Sequence, residues 1–230
     1  MAAVIGSTTV LTSHKPLPPA AAPTPAPPTL RLVGFGHAAI AVPADWPRNR
    51  SRCGTPQQNT VQIDDPSMYT ECGTTRPDNV DSVQMSSSPT VGFQADRTFV
   101  IHGLQAERQQ TSCRNDWNGT KVCSGVVSIP SLNVWFRAES STSAENVDRM
   151  LSRIQIVPDQ VGVPDPWSVT GPPTGPLLSG YTPLLTEAGL KVQSRRVKSP
   201  NYPSGTILGV SPATGTMLRL GATVTVTVAK

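Results

Sequence analysis

The last 30 residues, NYPSGTILGVSPATGTMLRLGATVTVTVAK, constrain the fold of this chain more than any other segment. Glycines and prolines recur at regular intervals between short β-branched runs, at Pro203, Gly205, Pro212, Gly215 and Gly221. Glycine and proline interrupt regular structure, whereas valine, isoleucine and threonine favour strands. Over residues 222–228 valines alternate with small or polar residues, so Val224, Val226 and Val228 share one face. The segment therefore predicts short strands joined by tight turns.

The segment follows the pattern P-x-G-T-[IV]-x-x-x-S-P-x-x-G-T-x-[LV]-x-x-G-x-x-V-T-V-x-V, which resembles the end of a PASTA domain. Residues 184–192, with Gly189 as the helix stop, resemble the helix end and the following strand of that module. The Val163-Pro164 pair resembles its opening. The resemblance covers the C-terminal third, residues 158–230, and implies one short helix on a three-stranded sheet. These modules accompany penicillin-binding proteins and serine/threonine kinases, so it also implies a place outside the bacterial membrane.

Two positions depart from the family pattern. Val210 stands where the family often has glutamine before Ser-Pro. Pro183 lies where the helix should already be forming. Because proline is tolerated in a first helical turn but not later, we expect a short helix that begins near Thr182.

The net charge of +4 is concentrated in this module. Through residue 160 the chain carries 13 basic and 13 acidic residues, and beyond it six basic residues accompany two acidic ones. A basic module attracts anionic polymers. From charge alone, the candidate ligand-binding residues are Arg195, Arg196 and Lys198 on the second strand. The alternative is a solvated strand edge on which basic residues discourage aggregation.

The first 29 residues predict no core. No run of 18 apolar residues occurs, and the mildly apolar start lacks the positive charge of a signal peptide. An Ala/Pro/Thr-rich stretch follows, which favours extended polyproline. We interpret residues 1–29 as the remnant of a membrane anchor in a longer native product, followed by a linker. A cytosolic chain with a disordered tail is the alternative.

Residues 30–157 are predicted to form one α+β unit, a mostly antiparallel sheet with one packed helix. The strand-like runs are residues 30–33, 38–42, 98–102, 104–108, 124–129, 132–137 and 154–157. Thr142 and Glu145 have capping-box spacing. A helical apolar stripe follows, formed by Val147, Met150, Leu151 and Ile154. The opening AIAVPADW and the closing helix and strand resemble exported domains of high-GC Gram-positive bacteria.

All four cysteines lie in this unit, at Cys53, Cys72, Cys113 and Cys123. None forms a C-x-x-C pair and the three histidines offer no paired ligands, so disulfides are favoured over a zinc site. A hairpin loop at 117–119 would pair Asp116 with Thr120 and bring Cys113 directly opposite Cys123. Cys53 and Cys72 then pair by elimination. Two disulfides indicate an oxidising compartment, in agreement with the extracytoplasmic location.

No catalytic constellation is recognisable. The sequence lacks S-x-x-K, K-T-G, G-x-S-x-G, a phosphate loop and H-E-x-x-H. His37 and His102 could each act as a base, but the sequence names no partner for either. Asp64-Asp65 before Pro66 could serve acid–base chemistry or bind a cation, but it fits a turn better. We expect no enzyme activity, no metal and no cofactor.

The sequence therefore predicts a non-catalytic cell-surface protein of a bacterium, anchored to the membrane. Its PASTA-like domain would bind peptidoglycan or an associated anionic wall glycopolymer, because the family is implicated in recognising muropeptides. The alternative is a spacer or protein-interaction module that contacts a membrane or wall protein. No nucleic-acid partner is expected. The Pro/Gly-rich stretch 157–176 predicts that residues 30–157 and 158–230 are separable.

Overall fold

The computed structural model describes residues 29–64, 73–169 and 175–230. In chain order the strands are β1 (Leu30–Phe35), β2 (Ala38–Pro43), β3 (Ser51–Arg52), β4 (Thr55–Pro56), β5 (Thr60–Ile63), β6 (Asp81–Ser86), β7 (Arg97–Ile101), β8 (Leu104–Asn115), β9 (Lys121–Ile129), β10 (Val134–Ser140), β11 (Ile154–Ile156), β12 (Gln160–Gly162), β13 (Lys191–Val197), β14 (Ile207–Ser211), β15 (Met217–Arg219) and β16 (Thr223–Ala229). The α-helices are α1 (Ala144–Leu151) and α2 (Leu178–Glu187).

The first part of the chain forms a six-stranded sheet and a three-stranded sheet. The larger has the order β5-β6-β10-β9-β8-β7 and is antiparallel except for the parallel pair β5-β6. The smaller is the antiparallel sheet β1-β2-β11. The predicted α+β class and the mostly antiparallel pairing are confirmed.

One face of the six-stranded sheet carries the core. Its side chains Val83, Met85, Phe136 and Ala138 are fully buried and share one cluster with the apolar face of α1. The predicted stripe is confirmed for Val147, Met150 and Leu151, which are buried on α1, whereas Ile154 lies beyond the helix on β11. The predicted cap is wrong by one residue, because Ser143 and not Thr142 accepts the hydrogen bond from the backbone N–H of Asn146. Thr142 still lies in the preceding turn, where its own N–H donates to the Ser140 hydroxyl.

The hairpin between β8 and β9 forms as predicted. The N–H of Asp116 donates to the carbonyl of Thr120 over 2.9 Å. Gly119 supplies the left-handed conformation of the loop, with φ of 89°. Cys113 is therefore opposite Cys123, and the two form a disulfide. Cys53 is also disulfide-bonded, while its predicted partner, Cys72, lies outside the described residues.

The C-terminal part is the predicted helix on a three-stranded sheet, with the order β13-β16-β14. The β13-β16 pair is parallel and the β14-β16 pair is antiparallel. The predicted helix start near Thr182 is wrong, because α2 begins at Leu178 and holds Pro183 in its interior. Tertiary contacts explain the early start. The N–H of Leu178 donates to the carbonyl of Gly205, and Leu177 forms an isolated β-bridge with Thr206. These backbone contacts hold the first turn of α2, which has no side-chain cap.

The buried hydrophobic residues form two clusters, one within residues 33–156 and one within residues 161–228. The two parts touch through backbone. The N–H of Gly34 donates to the carbonyl of Gly215, and the N–H of Gly162 donates to the carbonyl of Gly36. The boundaries at 1–29, 30–157 and 158–230 stay a prediction, and residues 1–28 lie outside the described part. Neither α1 nor α2, nor any other helix of the described residues, has the length and hydropathy of a membrane span.

Candidate functional site

The three basic residues singled out from the sequence lie at the edge of the C-terminal sheet. Arg195 and Arg196 are on β13, which is an edge strand of the described three-stranded sheet. Lys198 follows directly after the strand ends at Val197, so its predicted place on the strand is wrong by one residue. All three side chains are exposed. The structure therefore brings the three residues together on one exposed edge.

The register of β13 fixes which way its side chains face. Arg196 is opposite Val228, a buried residue on the face that α2 covers. Arg195 is opposite Thr227, on the other face. Arg195 and Arg196 thus lie on opposite faces, as the period-two pattern of a strand predicts.

The face of the sheet away from α2 is polar. Side chains from all three strands contribute to it, namely Lys191, Gln193, Arg195, Ser211, Thr223, Thr225 and Thr227, by their mutual register. The threonines alternate with the buried valines of β16. This face presents hydroxyl and amide groups beside cationic ones, a surface suited to a hydrated polymer rather than to an apolar partner.

Tyr181 holds α2 onto this sheet. Its ring is fully buried between Leu185 and the valines of β16, and its hydroxyl donates to the carbonyl of Pro164 over 2.8 Å. Burial, with a smaller contribution from the nearby Asp165 carboxylate, raises the pKa of Tyr181 above its ordinary value. The helix ends at Glu187, and Gly189, with φ of 75°, then turns the chain into β13.

Among the described residues, the basic side chains of this part have no acidic partners. Residues 175–230 contain six basic residues, Lys191, Arg195, Arg196, Lys198, Arg219 and Lys230, and one acidic residue, Glu187. All six are exposed, and within the described residues none of them forms a salt bridge. Unpaired surface cations create a positive potential that attracts anions over about 8 to 10 Å in physiological salt.

The other residues considered from the sequence have structural contacts. The ring Nδ1 of His37 donates to the carbonyl of Gln160 over 2.7 Å, since a carbonyl oxygen can only accept. The Nδ1 of His102 accepts from the N–H of Ile156 over 3.1 Å. Asp64 directly follows β5 with φ of 38°, and burial raises the pKa of its carboxyl group. Asp65 lies outside the described residues.

A second polar surface was missed by sequence reasoning. It lies on the open face of the six-stranded sheet, where Arg76, Arg137 and Glu139 form a hydrogen-bonded cluster. The alternation Trp135, Arg137, Glu139 along β10 is the signal that could have indicated it, since polar residues at every second position mark an open sheet face. Arg76 could not have been found this way, because it reaches the cluster from an irregular segment. Among the described residues, no group of three or more histidine, cysteine or acidic side chains could hold a metal ion.

Comparison with known families agrees with the fold of the C-terminal part. The family model of the PASTA domain matches residues 181–230. The resemblance inferred from the Gly/Pro pattern is thereby confirmed, with a match that begins inside α2 and runs through β16. PASTA domains are cell-wall-associated modules, which favours an extracytoplasmic location for this part of the chain.

No curated protein matches the chain. Among solved structures, the chain is similar to penicillin-binding protein 2X from Streptococcus thermophilus, with 10% sequence identity and a TM-score of 0.22. The similarity covers 56% of this chain and 22% of that protein, so the chain spans less than a quarter of its length.

Proposed function

We propose that this protein is a non-catalytic cell-surface protein whose PASTA domain binds peptidoglycan or an associated anionic wall glycopolymer. The observation that carries the proposal is the set of six exposed basic side chains, none of them paired with a carboxylate in the described residues. Four of them, Lys191, Arg195, Arg196 and Lys198, follow one edge strand. The family match supplies the cell-wall context.

The four basic residues follow one strand edge, with Arg195 and Arg196 on opposite faces, so a linear polyanion lying along this edge can reach side chains on both faces. Adjacent residues on a strand are about 3.3 Å apart, so the seven steps from Lys191 to Lys198 extend over about 23 Å. Repeating phosphate or carboxylate groups of a wall polymer can occupy such a row without a deep pocket. Each contact between exposed charges is weak, and binding then depends on several contacts acting together.

The proposal is tested by removing three charges from this edge. The triple variant Arg195→Ala, Arg196→Ala and Lys198→Ala in the full chain should cosediment with purified, teichoic-acid-bearing wall at least about fivefold less than wild type, which corresponds to about 1 kcal/mol. The fold should be unchanged, because all three side chains are exposed.

A matched control removes three exposed charges elsewhere, by Arg50→Ala, Lys121→Ala and Arg149→Ala. This control should cosediment as wild type does. Equal loss in both triple variants would show a general charge effect and contradict a site on β13. If wild type never cosediments with wall, the spacer or protein-interaction role replaces wall binding.

The proposed absence of catalysis has its support in the sequence, which lacks the motifs of acyl-transfer enzymes. Covalent labelling of the purified chain by a fluorescent penicillin would contradict it.

A further inference from the structure

The open face of the six-stranded sheet carries a groove outside the PASTA domain. The core lies on the opposite face, where Val83 and Phe136 are fully buried. On the open face, register places Gln62 beside Gln84 and Gln84 beside Arg137, in one row across β5, β6 and β10. The groove has a volume of about 450 Å³, within the range of about 300 to 1,000 Å³ typical of small-ligand sites.

The floor of the groove is a fixed charge cluster. One carboxylate oxygen of Glu139 accepts from Arg76 over 2.9 Å and the other accepts from Arg137 over 2.6 Å. Arg76 is only 4% exposed and donates further to the carbonyl of Val80 and to the hydroxyl of Ser82. Two guanidinium groups share one carboxylate, so the cluster keeps a net positive charge, and four hydrogen bonds hold the guanidinium of Arg76 in place.

Two buried donors in this groove have no acceptor. In the part of the chain that the structure describes, the Nε2 of Gln62 and the Nε of Arg76 are buried and make no hydrogen bond. Gln62 is only 3% exposed and Arg76 only 4%. Buried polar groups are nearly always paired, and an unpaired one calls for an explanation such as a missing ligand. Both carboxylate oxygens of Glu139 already accept hydrogen bonds. The two unpaired donors therefore need acceptor atoms from a ligand.

An exposed indole stands at the rim. Trp117 is 73% exposed at the tip of the β8-β9 hairpin and lines the groove together with Arg114 and Asp116. The Cys113–Cys123 disulfide joins the two strands close to this tip, two residues from the last pair of the ladder, Asn115 and Lys121. A large exposed indole offers a flat apolar face to a ring-shaped ligand that also carries polar groups.

We propose that this groove binds a short saccharide whose ring substituents present carbonyl-type oxygens, either an amide carbonyl or a carboxylate. The oxygens accept from Gln62 and Arg76, and a sugar ring lies against Trp117. Amide, guanidinium and hydroxyl groups around a single indole match the alternating polar and apolar surface of a sugar. The inference is independent of wall binding by the PASTA domain, because no residue of residues 158–230 lines the groove.

The test is an NMR titration of the full chain with three defined saccharides. N,N′-diacetylchitobiose offers amide carbonyls, a hyaluronan tetrasaccharide offers carboxylates as well, and cellobiose offers neither. Binding of at least one of the first two, with shifts in the side-chain amide of Gln62 and the indole N–H of Trp117, is expected. Binding of N,N′-diacetylchitobiose would show that an amide carbonyl is sufficient. Binding of the hyaluronan tetrasaccharide alone would show that a carboxylate is required. Absence of shifts for both at about 10 mM, or equal binding of cellobiose, would overturn the proposal.

Two variants and a control locate the site. Trp117→Ala should weaken binding about tenfold, and it should leave the fold intact because the side chain is exposed. Gln62→Leu should weaken saccharide binding. The side-chain amide signal that disappears in this variant identifies Gln62. Trp167→Ala removes another indole, which is 56% exposed and does not line this groove, and this variant should bind as wild type does. Weakening by Trp167→Ala equal to that by Trp117→Ala would also overturn the proposal.

Discussion

At the scale of single residues, the fold depends on a few buried polar groups with exact partners. Tyr181 shows this most clearly, since one side chain fills the core of the PASTA domain and also bonds the segment before it. Arg76 plays the same part in the first unit, where it joins β6 to β10 through Ser82 and Glu139. Sequence patterns cannot indicate such residues, because a lone arginine or tyrosine carries no periodic signal.

Tyr181→Phe should destabilise the protein by about 1 to 2 kcal/mol near neutral pH, because the carbonyl of Pro164 loses its donor inside the structure. Thermal or denaturant unfolding measures the loss. Tyr202→Phe is the matched control, since that ring is 48% exposed, and it should be close to neutral.

The buried hydroxyl of Tyr181 should also make the stability of the protein depend on pH. Burial raises the pKa of Tyr181 in the folded state above the ordinary value of 10.0, so the folded state keeps a proton that the unfolded state loses. Below pH 10.0 the titration of Tyr181 leaves the free energy of unfolding unchanged. Above pH 10.0 the free energy of unfolding falls as the pH rises, by about 1 kcal/mol over the first pH unit. Tyr181→Phe should remove this difference, and parallel stability curves for wild type and variant above pH 10.0 would contradict it.

Among the helices and strands, the sequence predicted those features that depend on neighbouring residues along the chain. The hairpin loop, the stripe of α1 and the alternating valines of β16 involve neighbours along the chain, and each is confirmed. The early start of α2 depends on Gly205 and Thr206, which lie more than 20 residues away, so a rule about proline in helices missed it. For the same reason the basic edge on β13 could be named from the sequence, whereas the groove on the six-stranded sheet could not.

The β8-β9 hairpin gives an element-scale prediction. Replacing both Cys113 and Cys123 by alanine should cost about 2 to 3 kcal/mol, because the loop that the disulfide closes is short. Denaturant unfolding measures the loss, and no loss would contradict it. Mass mapping without reduction should find this disulfide and one joining Cys53 to Cys72.

At the scale of the whole molecule, the two hydrophobic clusters meet along glycine backbone. A Cβ on Gly162 would lie 2.2 Å from the carbonyl oxygen of Gly34, a contact that no side-chain movement can relieve. Arg48 adds a hydrogen bond to the hydroxyl of Thr216 across the same contact. The close approach of β12 to β1 therefore depends on the absence of a side chain.

Gly162→Ala should destabilise the protein by about 2 kcal/mol or more, because the backbone must move apart. Gly209→Ala is the matched control, since a Cβ there meets nothing within 4 Å and φ is not positive. Calorimetry on both variants measures the difference. Equal unfolding temperatures for the two would show that the described contact between the clusters does not contribute to stability.

Within the described residues the exposed cations of the PASTA domain form no salt bridge, and we propose that they bind an anionic wall polymer. The most direct measurement is cosedimentation of the full wild-type chain with purified wall as the salt concentration rises from about 50 mM to about 500 mM, before and after the anionic polymer is removed. Salt screens exposed charges, so the bound fraction should fall steeply on intact wall and be low at every salt on stripped wall. Binding that is equal at both salt concentrations, or equal on intact and stripped wall, would contradict the claim.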